Sequence, residues 1–178
     1  MPDEIYDIVD DNGNKIGTAS WTDVHTKGLL HQCASALIFK DTSRQETLLQ
    51  RRSLSMNQCP GLWQHAAGGH ILADQTSDQG IRQELQEELF YKHELPQLEI
   101  KKIVTFYNHD LPNNHELLTL YEVIYPGPFF PDPKEVDTEP QWIRWEALLI
   151  DLKTNPAKYT TAFHNIMRAY LNSLKTKY

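Results

Sequence analysis

Gly69-His-Ile-Leu-Ala-Asp-Gln-Thr-Ser-Asp-Gln-Gly-Ile-Arg-Gln-Glu84-Leu-Gln-Glu87-Glu88-Leu-Phe-Tyr91 is the stretch from which the rest of the chain is read. Thr76, Ser77 and Asp78 are all N-cap residue types, and Ile81, Leu85 and Leu89 recur at i, i+4 and i+8. The spacing therefore predicts a helix from about Thr76 to Leu89 with one apolar stripe. On that helix Glu84, Glu87 and Glu88 fall at i, i+3 and i+4, so all three project from one face. Left alone they repel by roughly 0.2–0.5 kcal/mol per neighbouring pair. A hard divalent cation removes that penalty, because carboxylate oxygens are the ligands Mg²⁺ and Mn²⁺ prefer, and such ions keep positions for waters and phosphates. A solvated acidic face is the plainer reading, and spacing alone does not separate the two.

Working outward, Ile5–Val9 and Lys15–Thr18 flank Asp11-Asn12-Gly13-Asn14, a hairpin signal. Ser20–His25 reads as one short helical turn, capped by Ser20 or Thr22. Gln32–Phe39, Glu46–Arg52, Leu98–Tyr107, Glu116–Tyr125 and Gln141–Trp145 read as strands, with Leu62–Ala67 a short strand leading into Gly68-Gly69. Asn155-Pro156 is a helix-start signature, which predicts one closing helix over 156–174. Strands and helices mixed in this order predict an α+β chain, a sheet packed between helices. The whole of 1–178 is expected to form one domain: an N-terminal hairpin and short helix over 1–30, then a core over 31–178.

The chain has 178 residues, 40% of them hydrophobic, with 17 Lys+Arg against 24 Asp+Glu and a net charge of −7. Sequence-blind nucleic-acid binding needs a surplus of basic side chains, so no nucleic-acid partner is expected. An acidic protein still handles a polyphosphate when a bound cation supplies the positive charge. The two cysteines, Cys33 and Cys59, are too few for a disulfide framework or a four-cysteine zinc site, and read as small apolar-like residues. There is no apolar run of 18 residues and no basic, apolar leader, so the expectation is a cytoplasmic protein without a membrane partner.

The opening stretch resembles the Nudix box, G-x5-E-x7-R-E-U-x-E-E-x-G-U with U aliphatic. Gly69 matches the first glycine, Glu84 the first helix carboxylate, Leu85 the aliphatic, and Glu87 and Glu88 the paired carboxylates. The resemblance implies an α/β/α sandwich with a mixed sheet and a loop–helix–loop catalytic motif. It also implies that Glu84, Glu87 and Glu88 hold Mg²⁺, with Mn²⁺ as a substitute. Gln75 stands where the family has Glu, Gln83 where it has Arg, and Phe90 where it has Gly. Two amides can hydrogen-bond as the ion pair would, so Gln75 and Gln83 are expected to meet. Phe90 demands a different helix exit, because glycine there normally supplies φ > 0.

Asp7-Ile-Val-Asp, Gly17, Val24-His25-Thr-Lys-Gly28-Leu-Leu-His31, Leu49-Gln-Arg51-Arg52-Ser, Pro60-Gly61-Leu-Trp63 and Gly68-Gly69-His70 resemble one Nudix branch. It contains type I isopentenyl diphosphate isomerases and related small bacterial hydrolases. The isomerases use a cysteine just before a Gly-His pair; here Gly68 holds that place. The intact helix carboxylates also favour hydrolysis. The isomerases' second metal site is echoed by His25, His31, His70 and Glu116, with Asn114 in place of a carboxylate.

The expected function is thus Mg²⁺-dependent hydrolysis of a diphosphate bond in a nucleoside diphosphate linked to some moiety X. The alternatives are an isopentenyl diphosphate isomerase and a catalytically inactive binding module. Glu84, Glu87, Glu88 and Glu116 are the catalytic candidates, and Glu135 and Glu139 are further candidates for a general base. Arg52, Gly68, Gly69 and His70 are the substrate-binding candidates. Arg51 and Arg52 point to opposite strand faces, and Arg52 better matches a phosphate-facing position. Trp63, Phe106, Tyr107 and Tyr121 are aromatics suited to stacking on a base. The partner is a small-molecule diphosphate, and a homodimer is left open.

Overall fold

The computed structural model describes residues 4–56, 58–134 and 139–175. Among them lie β1 (Ile5–Val9), β2 (Lys15–Ser20), α1 (Trp21–Lys27), β3 (His31–Phe39), β4 (Glu46–Arg51), β5 (Trp63–His65) and β6 (Ala67–His70). They continue with α2 (Ser77–Leu89), β7 (Ile100–Leu111), β8 (Asn114–Ile124), β9 (Gln141–Arg144), α3 (Trp145–Thr154) and α4 (Thr161–Lys175).

β3 organises a mixed sheet: it runs parallel to β8, with His31 opposite Glu116 and Phe39 opposite Ile124, and antiparallel to β6, with Cys33 opposite His70. From Cys33 onward its residues are small or apolar on both faces, because helices cover both. Ala34, Ala36 and Ile38 pack with Ile81, Leu85 and Leu89 of α2. Cys33, Leu37 and Phe39 pack on the other side with Leu148 of α3 and with Phe163, Ile166 and Tyr170 of α4. The architecture is the expected helix–sheet–helix sandwich. Tyr6, Ile8 and Val24 close a smaller cluster under the N-terminal hairpin.

Three element expectations are corrected. The stretch Leu62–Ala67 is not one strand: residues 63–65 pair with β4, and residues 67–70 change partner to β3. α3 arises where no helix was expected; its N-cap, Arg144, makes no side-chain capping bond, so the usual start signal is missing. The closing helix does not begin at Asn155-Pro156. Residues 156–158 form a 3₁₀ turn, the Thr160 N–H donates to the Trp63 carbonyl (3.1 Å), and α4 starts afterwards with Thr160 Oγ1 accepting from Phe163 N (3.2 Å). Pairing with Trp63, at the start of β5, interrupts the helix.

Candidate active site

α2 is set as its sequence directs. Thr76 and Gln79 close a capping box, and Ile81, Leu85 and Leu89 are buried. This turns Glu84, Glu87 and Glu88 toward a cleft of about 680 Å³ that all three line, together with Arg52, Gly68, Gly69, His70 and Glu116. Glu88 is buried; its Oε2 accepts from Gln50 Nε2 at 2.5 Å and its Oε1 from the Gly68 N–H at 3.4 Å. Glu84 lies directly over Gly69, where an added Cβ would meet its carboxylate atoms at 2.6–2.7 Å. Glu87 is exposed, and its Oε1 accepts from Gln83 Nε2 at 2.9 Å.

Gln75 and Gln83 do meet: Gln75 Nε2 donates to Gln83 Oε1 at 2.9 Å, which makes a relay from the loop through Gln83 to Glu87. A neutral pair here carries no buried-charge desolvation cost. The helix exit at Phe90 also differs as its side chain requires. Phe90 has φ −127°, so it is not left-handed, and its ring packs between Tyr125 and Phe129. The open carbonyls of Leu89 and Glu88 accept from the N–H groups of Phe130 (2.7 Å) and Asp132 (3.0 Å). The proline-rich passage thereby caps the helix in place of a glycine turn.

Arg52 lines the cleft, with Nε donating to the Gln58 carbonyl (3.0 Å) and Nη1 to Gln64 Oε1 (3.2 Å). Arg51 instead donates from Nε to the Gly61 carbonyl (2.9 Å). Glu139 is exposed and is not among the cleft-lining residues, and Glu135 lies outside the described residues. Trp63, Phe106, Tyr107 and Tyr121 stay off the cleft, whereas Tyr6, Trp21 and Tyr91 line it. Sequence reasoning also passed over Cys33, Ser35, His65 and Asp132. The signal for Cys33 and Ser35 was available: on a strand they alternate with His31 and share its face.

On the other sheet face the rings of His25, His31 and His70 meet, with centroids 5.0–5.5 Å apart. His25 Nδ1 donates to the Trp21 carbonyl and His31 Nδ1 to the Leu29 carbonyl, both at 2.9 Å, so the Nδ1 of each ring carries a hydrogen. Burial, helped by its two histidine neighbours, pushes His70 down to about 3, so it is a neutral imidazole. Glu116 Oε1 accepts from Asn114 Nδ2 (2.7 Å) and its Oε2 from Asn108 Nδ2 (2.6 Å), with Asn165 of α4 holding Asn108 in turn (2.8 Å). Asn114, where the isomerases carry a carboxylate, orients Glu116.

A sandwich with an acidic helix and a bare Gly68-Gly69 strip between two polar centres defines a class. The NUDIX domain pattern matches residues 29–163, and the chain belongs to the Nudix family. Among curated relatives, an isopentenyl-diphosphate Delta-isomerase of Serratia proteamaculans is 32% identical over 93% of this chain and 90% of its own length. Nudix hydrolase 3 of Arabidopsis thaliana is 34% identical over 66% of this chain, though over only 15% of its own length. DR0079 from Deinococcus radiodurans shares the fold with a TM-score of 0.73 at 20% identity, covering 94% of this chain and 99% of that one.

Proposed function

We propose that the protein is a Mg²⁺-dependent Nudix hydrolase, with Mn²⁺ able to substitute, that cleaves a diphosphate bond in a nucleoside-diphosphate-X type substrate. Its proposed partner is that small molecule in the cytoplasm, with neither nucleic acid nor membrane. The observation that carries the reading is that Glu84, Glu87, Glu88 and Arg52 open onto one cleft with the side-chain-free strip Gly68-Gly69. The all-oxygen donor set suits a hard cation, and the missing Cβ of Gly69 leaves the Glu84 carboxylate its space. When bound, the cation supplies charge neutralisation and an activated water.

The remaining work falls to the chain's own groups. Arg52, braced by Gln58 and Gln64, offers its other N–H groups to a phosphoryl oxygen. Gln50 holds Glu88 in place from the neighbouring strand. Glu116 is held in place by two asparagine donors. Glu84, which lies over Gly69 in the cleft, is the proposed general base.

The named relatives favour one second reading, the isomerase. Against it, a side chain on Gly68 would begin 2.6–2.7 Å from Ser35 Oγ, the Ala34 carbonyl oxygen and His65 Nε2, so the place of the isomerase thiol is already filled. A panel of diphosphates with Mg²⁺ or Mn²⁺, scored by phosphate release, tests the hydrolase. Glu88→Gln is expected to abolish turnover with the circular dichroism unchanged; undiminished turnover refutes the assignment. Isopentenyl diphosphate is expected to remain unconverted, and formation of its dimethylallyl isomer reverses the order of the two readings. A chain that shows neither turnover nor Mg²⁺ binding heat is a binding module.

A further inference from the structure

Ligand atoms of His31, Cys33, His70 and Glu116 all lie within 4.8 Å of one another, on the sheet face opposite α2. His70 Nε2 is buried there with no hydrogen-bond partner among the described residues, a cost that buried nitrogens seldom bear without a ligand. Family likeness points to histidines and carboxylates; it gives Cys33 no role. We propose that Cys33 is a metal ligand, completing a centre of one thiolate, two imidazoles and one carboxylate that takes Zn²⁺ in preference to Mg²⁺.

Three arguments support this. The first is softness: thiolate and imidazole suit borderline ions such as Zn²⁺, and Mg²⁺ takes oxygen. The second is size. A tetrahedral ion with bonds of about 2.0–2.3 Å sets its ligands roughly 3.3–3.8 Å apart, so the present spacing closes with shifts of about 1 Å. The third is charge. Cys33 gives its thiol proton to solvent as the sulfur–metal bond forms, and thiolate plus Glu116 then balance two positive charges in a buried place. The outer contacts are present too. Leu29 fixes the His31 tautomer, and Asn108 and Asn114 hold Glu116. In this arrangement His25, stacked on Trp21 at 4.4 Å, flanks the centre without joining it.

The test uses Co²⁺ as probe, bound to chelator-stripped full-length protein and read by absorption. Wild type is expected to show a near-ultraviolet thiolate-to-cobalt charge-transfer band and strong visible bands of a tetrahedral ion. Cys33→Ser and Cys33→Ala are expected to lose the charge-transfer band and to bind Zn²⁺ at least roughly tenfold more weakly, the scale on which even an outer partner matters. Glu84→Gln with Glu88→Gln is expected to leave the band intact while stopping diphosphate turnover, which separates this centre from the hydrolytic reading. A wild-type cobalt spectrum without the band, or one that both Cys33 variants reproduce, overturns the proposal in favour of a histidine–carboxylate site.

Discussion

Ala34's carbonyl oxygen would stand 2.7 Å from a methyl group on Gly68, and a backbone atom cannot turn aside. A methyl on Gly69 would instead meet the end of the Glu84 side chain, which can. The two glycines should therefore respond differently. Gly68→Ala is expected to lower stability by about 1–3 kcal/mol, the usual cost of overpacking, as measured by urea unfolding. Gly69→Ala is expected to keep its stability and to lose roughly 100-fold in diphosphate turnover, because it displaces a carboxylate rather than the sheet. Equal losses of stability at both positions would contradict this picture. The glycine pair was legible in the sequence; which atoms crowd each one was not, since Ser35 and His65 arrive from other strands.

At the scale of elements, the start of α2 was written locally in Thr76 and Gln79, but its exit was decided by a distant segment. Phe90 is buried, and Phe130 and Asp132 supply the N–H groups that satisfy the helix end. Restoring the family's glycine here should therefore harm this protein. Phe90→Gly is expected to cost about 3–5 kcal/mol in chemical denaturation, the range for truncating a buried phenylalanine, with no gain from a turn the backbone does not make. A neutral or stabilising result would show that the proline-rich cap is dispensable. α3 and the late start of α4 escaped sequence reading for a related reason. Arg144 is no side-chain cap, and the bond from Thr160 N to Trp63 O joins segments nearly a hundred residues apart.

Across the whole molecule, one ion pair ties three elements together behind the site. Arg44, in the turn after β3, donates from Nε and Nη2 to both Glu122 oxygens of β8 (2.9 and 2.7 Å), and Tyr170 Oη of α4 donates to Glu122 Oε2 (2.8 Å). Burial pushes the Glu122 carboxyl up, but Arg44 and Tyr170 outweigh it and hold it below the usual carboxylate range. A depressed carboxylate contributes stability above its unfolded pKa, and that contribution fades as pH falls through the folded value. The Arg44 side chain is 42% exposed, so screening reduces the cost of removing it. Arg44→Ala is expected to lose about 1–2 kcal/mol at pH 7, short of the figure for a fully buried pair. The deficit should begin to shrink as pH falls below about 4 and vanish only below the depressed folded value; a deficit independent of pH would mean that Arg44 acts through packing instead.

What the sequence by itself determined is everything governed by period and local chemistry. The helical repeat put Glu84, Glu87 and Glu88 on one face, and Gln75 and Gln83 were matched in kind and met. Only the tertiary structure decided which groups share a cleft. Parallel pairing of β3 with β8 set His31 beside Glu116, and antiparallel pairing with β6 set Cys33 beside His70. Register between strands far apart in the chain is fixed by packing of the whole sheet, and no window of neighbouring residues contains it.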